Sequence, residues 1–479
     1  MIMKLHNSLT RRKEEFEPLN SPHVGVYVCG PTIYGHSHLG HGKSYVSFDV
    51  LIRYLRHLEY NVRYIQNITD VGHLTDNADA GEDKIEKQAR LEKLEPMQIV
   101  EKYTKSYFDD MDALGVLRPD VSPRASGHIP EQIELIKVLF EKGHAYEVDG
   151  YVYFSVSSFP GYGKLSGRKL DELVAGARVS VDERKRDPKD FTLWKKAGDD
   201  HILKWNSPWG WGYPGWHLEC SAMAMRYIGE TLDIHGGGLD NIFPHHESEI
   251  AQSEGATGKQ FARFWLHNNM VTVDGQKMGK SLGNFTYLKD IFQKYHPMVV
   301  RLYILRSHYR SPLDFSDMGL DSAKSGFERL TAFRSRLDHQ AFETTIEPSP
   351  ETAVLIEDAK SAFLESMNDD LNTPGALASI FDLIRAGNAV LDRNDIPEDR
   401  AALACILDSL AGDILGLDLT GGNSSAADTA ELCRILAETR GILRENKMFE
   451  ATDLMRDKLE AIGYTAKDLT GGKSEITRK

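Results

Sequence analysis

The residues best suited to chemistry in this 479-residue chain include a short histidine segment, His38-Leu39-Gly40-His41. The segment stands at the expected start of a helix, where free backbone N–H groups and a partial positive charge favour a phosphate. Gly40 lets the backbone approach a ligand closely, and both imidazoles can donate hydrogen bonds to phosphoryl oxygens. Taken alone, four residues fit an ordinary pair of surface histidines even better.

A second segment with phosphate-binding character is Lys277-Met278-Gly279-Lys280-Ser281. Two lysines three residues apart beside a glycine are typical of a mobile cationic loop that clamps a triphosphate or its leaving pyrophosphate. An ordinary basic turn has the same composition. The segment therefore gains meaning only if it reaches the same ligand as the two histidines.

A third group of side chains favours a metal ion. His245 and Glu249 are four residues apart, so on a helix both side chains lie on one face. Cys29 and Cys220 could add two thiolates, and such a mixed sulfur, nitrogen and oxygen set suits zinc. The chain has no CxxC pair and no HExxH, so spacing alone does not identify this site. His246 and Glu247 are adjacent and are expected to support the ligands.

The elements that would position these residues follow a strand, turn, helix, strand order. Residues 24–29 and 62–65 are predicted as buried strands, with a glycine-rich turn and a helix over about 39–58 between them. This is the opening unit of a parallel α/β sheet, whose ligands bind at the carboxyl ends of the strands. The sheet pattern resumes at 232–234, with three glycines behind it, after an insertion over about 120–200.

Beyond residue 322 the apolar residues fall at helical spacing, and a linker composition at 419–425 precedes a small terminal unit. Four dispersed cysteines form no disulfide framework, and Cys405 and Cys433 are interpreted as buried thiols among helical apolar residues. A net charge of −14 argues mildly against wrapping nucleic acid. The local cluster Arg301, Arg306 and Arg310 is interpreted as solvated surface charge. No membrane span or secretory signal is expected, which favours the cytoplasm.

An ordered series of motifs resembles the class I aminoacyl-tRNA synthetases, and the cysteinyl-tRNA synthetases in particular. The resemblance begins with YVCGPTIY at 27–34 and the histidine segment, and it extends over nearly the whole chain. The further matches are NITD at 67–70, DFTLWK at 190–195, PGWHLECSAM at 214–223, DIHGGG at 233–238, FPHHE at 243–247, KMGKSLGN at 277–284, HYRSP at 308–312 and NTP at 372–374.

The resemblance implies a role for each matching residue. Cys29, Cys220, His245 and Glu249 match the zinc ligands. Residues that match the catalytic positions are His38, His41, Lys277 and Lys280, and the same four together with Gly40 and Asp240 match the ATP-binding positions. Those that match the amino-acid and adenylate pocket are Thr69, Trp216, His235 and Asp240. Gly279 stands where a serine is usual, and both lysines are expected to keep their roles. Asp453 and Asp468 fall in a terminal pattern that resembles the anticodon-reading unit, although Ile476 stands where many members have tryptophan.

The fold implied is α/β: a Rossmann-like parallel-sheet catalytic domain with an inserted subdomain, then a helical bundle and a small C-terminal α/β unit. The expected ranges are 1–265 for the catalytic domain, 266–325 for a stem-contact region that carries the KMGKS loop, 326–418 for the helical bundle and 428–479 for the small C-terminal unit. The implied reaction uses ATP to attach L-cysteine to tRNA(Cys) through cysteinyl-adenylate, releasing AMP and diphosphate, with one Zn²⁺ selecting the thiolate and Mg²⁺ accompanying ATP. Because catalytic zinc usually keeps an open position, substrate binding would require either a fifth ligand or release of Glu249. A monomer is the family expectation.

Two other functions remain open at the level of sequence. A related ligase could activate cysteine in the same way and attach it to an aminosugar, but such relatives lack the terminal unit of this chain. A catalytically inactive, zinc-stabilised RNA-binding protein is the second alternative. Retention of both histidines and both signature lysines argues against the second alternative.

Overall fold

The structure is a computed structural model, and it describes residues 2–74, 83–168, 182–199, 201–279, 283–337, 347–420, 426–446, 448–461, 464–468 and 474–478. The chain forms two compact units, Met1–Leu417 and Asp418–Lys479. Among the described residues, none of the helices combines the length and the apolar character that a bilayer crossing requires.

The centre of the first unit is a four-stranded parallel sheet. Its strands are β3 (His23–Val28), β4 (Asn61–Gln66), β10 (Leu232–Gly238) and β11 (Ala262–Asn268), and they lie in the order β11-β10-β3-β4. Helix α1 (Leu39–His57) connects β3 to β4, as the apolar spacing predicts. The predicted α/β fold class and its opening strand, helix, strand unit are therefore confirmed.

Strand β10 is longer than predicted. The glycines at 236–238 belong to the strand and pair with β11, whereas the sequence analysis placed them behind it. Gly236 has no room for a side chain, since a Cβ atom there would lie 2.3 Å from the Phe48 ring of α1. The glycine run thus allows the helix to pack against the centre of the sheet.

The insertion between β4 and β10 contains helices and an antiparallel sheet. The helices are α2 (Lys84–Glu92), α3 (Pro96–Ala113), α4 (Ile129–Glu141) and α5 (Trp216–Tyr227). The strands of the sheet are β5 (Ala145–Val148), β6 (Tyr151–Phe154), β7 (Phe191–Lys196), β8 (Trp205–Ser207) and β9 (Gly210–Pro214), in the order β5-β6-β7-β9-β8. A hairpin of β1 (Lys4–Asn7) and β2 (Arg12–Glu15) precedes the central sheet. Helix α6 (Glu247–Thr257) follows β10 after an irregular turn, Ile242–His246.

A small three-stranded sheet follows β11 and leads into helices. Its strands are β12 (Val271–Val273), β13 (Gln276–Lys277) and β14 (Leu313–Phe315), in the order β13-β12-β14. The helices of this part are α7 (Leu288–Ile291), α8 (Pro297–Leu305), α9 (Asp317–Leu337), α10 (Pro350–Asn368), α11 (Thr373–Arg393) and α12 (Pro397–Leu407), and α12 continues into a wide turn, Asp408–Ile414. The second unit contains α13 (Ala426–Glu445), α14 (Phe449–Ala461) and the hairpin of β15 (Tyr464–Asp468) and β16 (Ser474–Arg478).

Three interpretations of single residues are wrong. Cys405 is exposed and not buried, because it lies two residues after Leu403 and therefore nearly opposite the apolar face of α12. Arg301 is fully buried and not solvated: its guanidinium contacts the Asp49 carboxylate of α1 and donates to the carbonyls of Leu114 and Leu415. Cys433 is partly exposed, so the interpretation as a buried thiol is wrong for this residue as well.

Candidate active site and metal centre

Four side chains from distant parts of the chain form a buried cluster beneath the carboxyl end of β3. Cys29 directly follows β3, and Cys220 lies on α5. His245 lies in the irregular turn before α6, and Glu249 lies in the first turn of α6. One ligand atom from each of the four residues lies within 4.8 Å of the others. The Sγ atoms of Cys29 and Cys220 are 3.9 Å apart, and His245 Nε2 is 3.0 Å from Glu249 Oε1. The sequence separations of up to 220 residues make this convergence a property of the fold.

The donor set of the cluster fits a zinc ion. A tetrahedral ion with Zn–S bonds of about 2.3 Å separates two sulfurs by about 3.8 Å, close to the observed spacing. Burial raises the pKa of the Cys29 thiol well above its usual range, so a thiolate at this position needs a compensating cation. Burial also lowers the pKa of His245 to about 3, which leaves a neutral imidazole of the kind that binds metals.

A second set of possible ligands overlaps the first. Cys29 and Glu249 also lie within 4.8 Å of His235 and His246. His246 Nε2 is 3.2 Å from Cys29 Sγ, and His235 Nε2 is 2.8 Å from Glu249 Oε2. His246 is therefore in direct contact with the cluster, consistent with the supporting position expected from the sequence. Two overlapping sets of possible ligands therefore share Cys29 and Glu249.

A cavity of about 320 Å³ opens beside the first four-residue set. Of the residues singled out from the sequence, ten line the cavity: Cys29, His38, Gly40, His41, Thr69, Trp216, Cys220, Asp240, His245 and Lys277. His235 is fully buried and is not among the lining residues, so its predicted contact with substrate stays a prediction. Lys280 lies outside the described residues, as does the side chain of Asp468.

The two histidines of the first segment are held by the start of α1. His38 is the N-cap residue, and its Nδ1 accepts a hydrogen bond from the backbone N–H of His41 at 3.3 Å. The two rings stack with their centroids 3.8 Å apart. A Cβ atom at Gly40 would lie 2.8 Å from the His38 ring, so glycine is required for this arrangement. Lys277 reaches the same cavity from β13, and its Nζ lies 2.6 Å from Asp240 Oδ2.

Aromatic stacking orders the part of the cavity wall that lies next to the metal ligands. The Trp216 indole lies between His73 and His245, with centroid distances of 4.3 Å and 4.4 Å. His217 Nδ1 is 3.0 Å from His245 Nδ1, on the side of the ring opposite Glu249. The Trp216 ring is thus held parallel to a metal-ligand imidazole at the edge of the cavity.

Sequence reasoning missed several residues of the cavity wall. Ser44 lies one helical turn after His41, and its hydroxyl donates to Asn268 Oδ1 at 2.6 Å. The i, i+3 spacing on α1 could have identified Ser44. Asn268 follows from no local pattern, because it reaches the cavity through the position of β11 beside β10. Asp453, proposed from the resemblance, lies exposed on α14 and pairs with Arg456.

Known proteins resemble this chain over nearly its whole length. The family described as tRNA synthetases class I (C) catalytic domain matches residues 15–325, and the DALR domain matches residues 362–420. Cysteine--tRNA ligase of Chlorobium chlorochromatii is 54% identical over 98% of this chain and 98% of that protein, and the enzyme of Thermus thermophilus is 49% identical over the same shares. Among solved structures, the chain resembles Mycobacterium tuberculosis methionyl-tRNA synthetase in complex with methionyl-adenylate, with a TM-score of 0.60 and 15% sequence identity. The match covers 82% of this chain and 91% of that chain, and at this identity it shows a similarity of fold.

Proposed function

This chain belongs to the cysteine--tRNA ligase family of class I tRNA synthetases, and from that premise we propose that its buried four-residue cluster holds the zinc ion that selects cysteine. The ATP-dependent attachment of cysteine to tRNA is the activity of the family. The observation that carries the proposal is the 3.9 Å approach of two reduced cysteines beside a neutral imidazole and a carboxylate, at the wall of the cavity.

Selection between cysteine and serine is the problem that such an ion would solve. The two amino acids differ by sulfur for oxygen, and an apolar pocket discriminates poorly between similar shapes. Bound zinc supplies strong affinity for a thiolate and weak affinity for a neutral hydroxyl. Every tenfold of selectivity corresponds to about 1.4 kcal/mol, so one bond of this kind can supply several decades.

The chain's own residues bind and orient the reactants. We assign to His38 and His41 the stabilisation of charge on the α-phosphate while the cysteine carboxylate attacks it and diphosphate leaves. Lys277, and Lys280 by the sequence resemblance, would hold the departing phosphates together with Mg²⁺. The Asp240 carboxylate pairs with the Lys277 ammonium, and both residues line the cavity. A ribose hydroxyl of the tRNA then attacks the activated carbonyl, and no covalent protein nucleophile is required.

The remaining parts of the proposal concern assembly and tRNA. A cytoplasmic monomer that binds tRNA(Cys), ATP and L-cysteine fits a cavity built by residues of one chain. We assign the anticodon contact to 428–479, with Asp453 and Asp468 as candidate contacts, and the acceptor-stem contact to 266–325.

Charging of total tRNA with labelled cysteine, measured before and after zinc chelation, tests the activity and its metal. We expect charging that chelation abolishes and zinc restores. Cysteine-dependent pyrophosphate exchange without tRNA charging would instead indicate the aminosugar ligase, and absence of exchange would indicate the inactive RNA-binding protein.

Zinc-edge absorption spectroscopy tests the selection step separately. Adding cysteine should increase the number of sulfur neighbours of the ion by one, whereas adding serine should leave it unchanged. An unchanged sulfur count with cysteine bound would refute selection through the thiolate.

A further inference from the structure

A second cavity, of about 290 Å³, lies among three helices of the first unit and shares no lining residue with the active-site cavity. Helix α8 and its C-cap contribute Leu302 and Arg306, which are four residues apart. Helix α9 contributes Ser322, Gly326 and Arg329, at intervals of four and three residues. Such spacings place each set on one helix face, so the cavity is a groove between aligned faces.

The rim of this groove carries two arginines, Arg306 and Arg329. Arg306 donates a hydrogen bond to Ser322 Oγ at 3.0 Å, and the Arg329 guanidinium lies 4.9 Å from the centre of the Phe381 ring on α11. Across the residues that the structure describes, neither arginine forms an ion pair with a carboxylate. Arg310, four residues after Arg306, is by contrast paired with Asp370. In a chain of net charge −14, two such cations at one opening favour an anionic ligand.

The floor of the groove is apolar: Leu302 is fully buried, Gly326 is buried and Phe381 is partly exposed. Gly326 has no side chain to fill the space, and a Cβ atom there would lie 3.5 Å from both Leu302 Cδ2 and Phe381 Cζ, an ordinary contact distance. A nucleotide combines the two properties that this groove offers, since its phosphate pairs with arginine and its sugar and base present apolar faces. A free inorganic anion would use the rim alone.

We propose that this groove binds one nucleotide of the tRNA backbone, with the phosphate between Arg306 and Arg329 and the sugar and base against the partly exposed Phe381. The inference rests on tRNA being the substrate of the proposed function. The groove positions tRNA at a site separate from the cysteine and ATP cavity, so its loss weakens tRNA binding and leaves cysteine activation intact.

The test compares the full-length wild-type enzyme with the double variant R306Q/R329Q. The KM for tRNA should rise about tenfold at roughly 150 mM KCl, and the slope of log(kcat/KM) against log[KCl] should become shallower by about 0.9, the contribution of the single phosphate contact that the variant loses. Cysteine-dependent pyrophosphate exchange without tRNA should stay within twofold. The matched control is R385Q/R393Q, which removes two exposed arginines that are paired with Asp382 and Glu351.

A filling variant, G326V, tests the floor without changing charge, and thermal unfolding checks that each variant is folded. G326V should also raise the KM for tRNA. The proposal is overturned if the KM and salt slope of R306Q/R329Q match the wild type, if the control pair has an equal effect, or if G326V binds tRNA normally. A changed KM for ATP with an unchanged KM for tRNA would assign the groove to a free nucleotide and also overturn it. Failure of the wild type to charge tRNA would instead contradict the proposed function.

Discussion

Lys43 is a buried cation whose replacement by an apolar residue should raise stability by an amount that shrinks as pH rises, while it lowers activity. It lies on α1 two residues after His41 and is 1% exposed. Its Nζ donates to the backbone carbonyls of Met270, at 3.3 Å, and Ser311. Met270 precedes β12, which pairs with the strand that carries Lys277. Lys43 therefore ties the helix of the histidine segment to the hairpin of the lysine segment.

The magnitude follows from the pKa of Lys43, which burial lowers from 10.5 to about 8. Between these values the unfolded lysine keeps a proton that the folded one has lost. The unfolded state then binds more protons, and Lys43 contributes increasing stability as pH rises. At about 1.36 kcal/mol for each pKa unit, the cost of burying the charge is about 3 kcal/mol near pH 7.5 and falls by about 2 kcal/mol by pH 9.5. Lys43→Met removes this dependence.

Urea unfolding of wild type and Lys43→Met at pH 7.5, 8.5 and 9.5 measures the difference, followed by tryptophan fluorescence. All six tryptophans lie in the first unit, so the signal reports on the unit that contains Lys43. The stability of the wild type relative to the variant should increase by about 2 kcal/mol over this range. Pyrophosphate exchange by the variant should fall about tenfold with unchanged zinc content. The exposed Lys324→Met is the control. A pH-independent difference in stability would refute the reasoning.

Three further changes test the site. Cys220→Ser should lose the bound metal and reduce cysteine-dependent pyrophosphate exchange by about 100-fold or more, while Cys405→Ser, at an exposed thiol, should match the wild type. Lys277→Ala should lower kcat of the exchange about 100-fold and leave the KM for cysteine within threefold, and equal losses in both would contradict a role limited to phosphate. Gly30→Ala places a Cβ atom 1.5 Å from the Asn67 carbonyl oxygen, so we expect the free energy of unfolding to fall by about 3 kcal/mol or more and metal binding to be lost. Urea unfolding like that of the wild type would contradict this, because it would show that the backbone moves aside at little cost in stability.

Local sequence patterns predicted strands and helices of the catalytic unit well where the periodicity of apolar residues is clear. The buried strand before Cys29 and the helix after His38 were correct because strand and helix periodicity are encoded by neighbouring residues. The error at Cys405 was avoidable, since its position relative to Leu403 places it on the other face of the helix. The error at Arg301 was not, because its partner Asp49 lies 252 residues earlier in the chain.

The sequence by itself determined the chemical types available to this protein: thiols, imidazoles and a carboxylate for a metal, two signature segments for phosphate, and the order of motifs that indicates the family. Only the tertiary structure decided which of them meet. The order of strands in the central sheet and the approach of α5 and α6 bring Cys220 and Glu249 to Cys29, and they bring His235 and His246 to the same pair of residues. Periodicity along a chain specifies which face a residue occupies on its own element. Distances between elements are set by how whole faces pack, and that information is spread over the entire core.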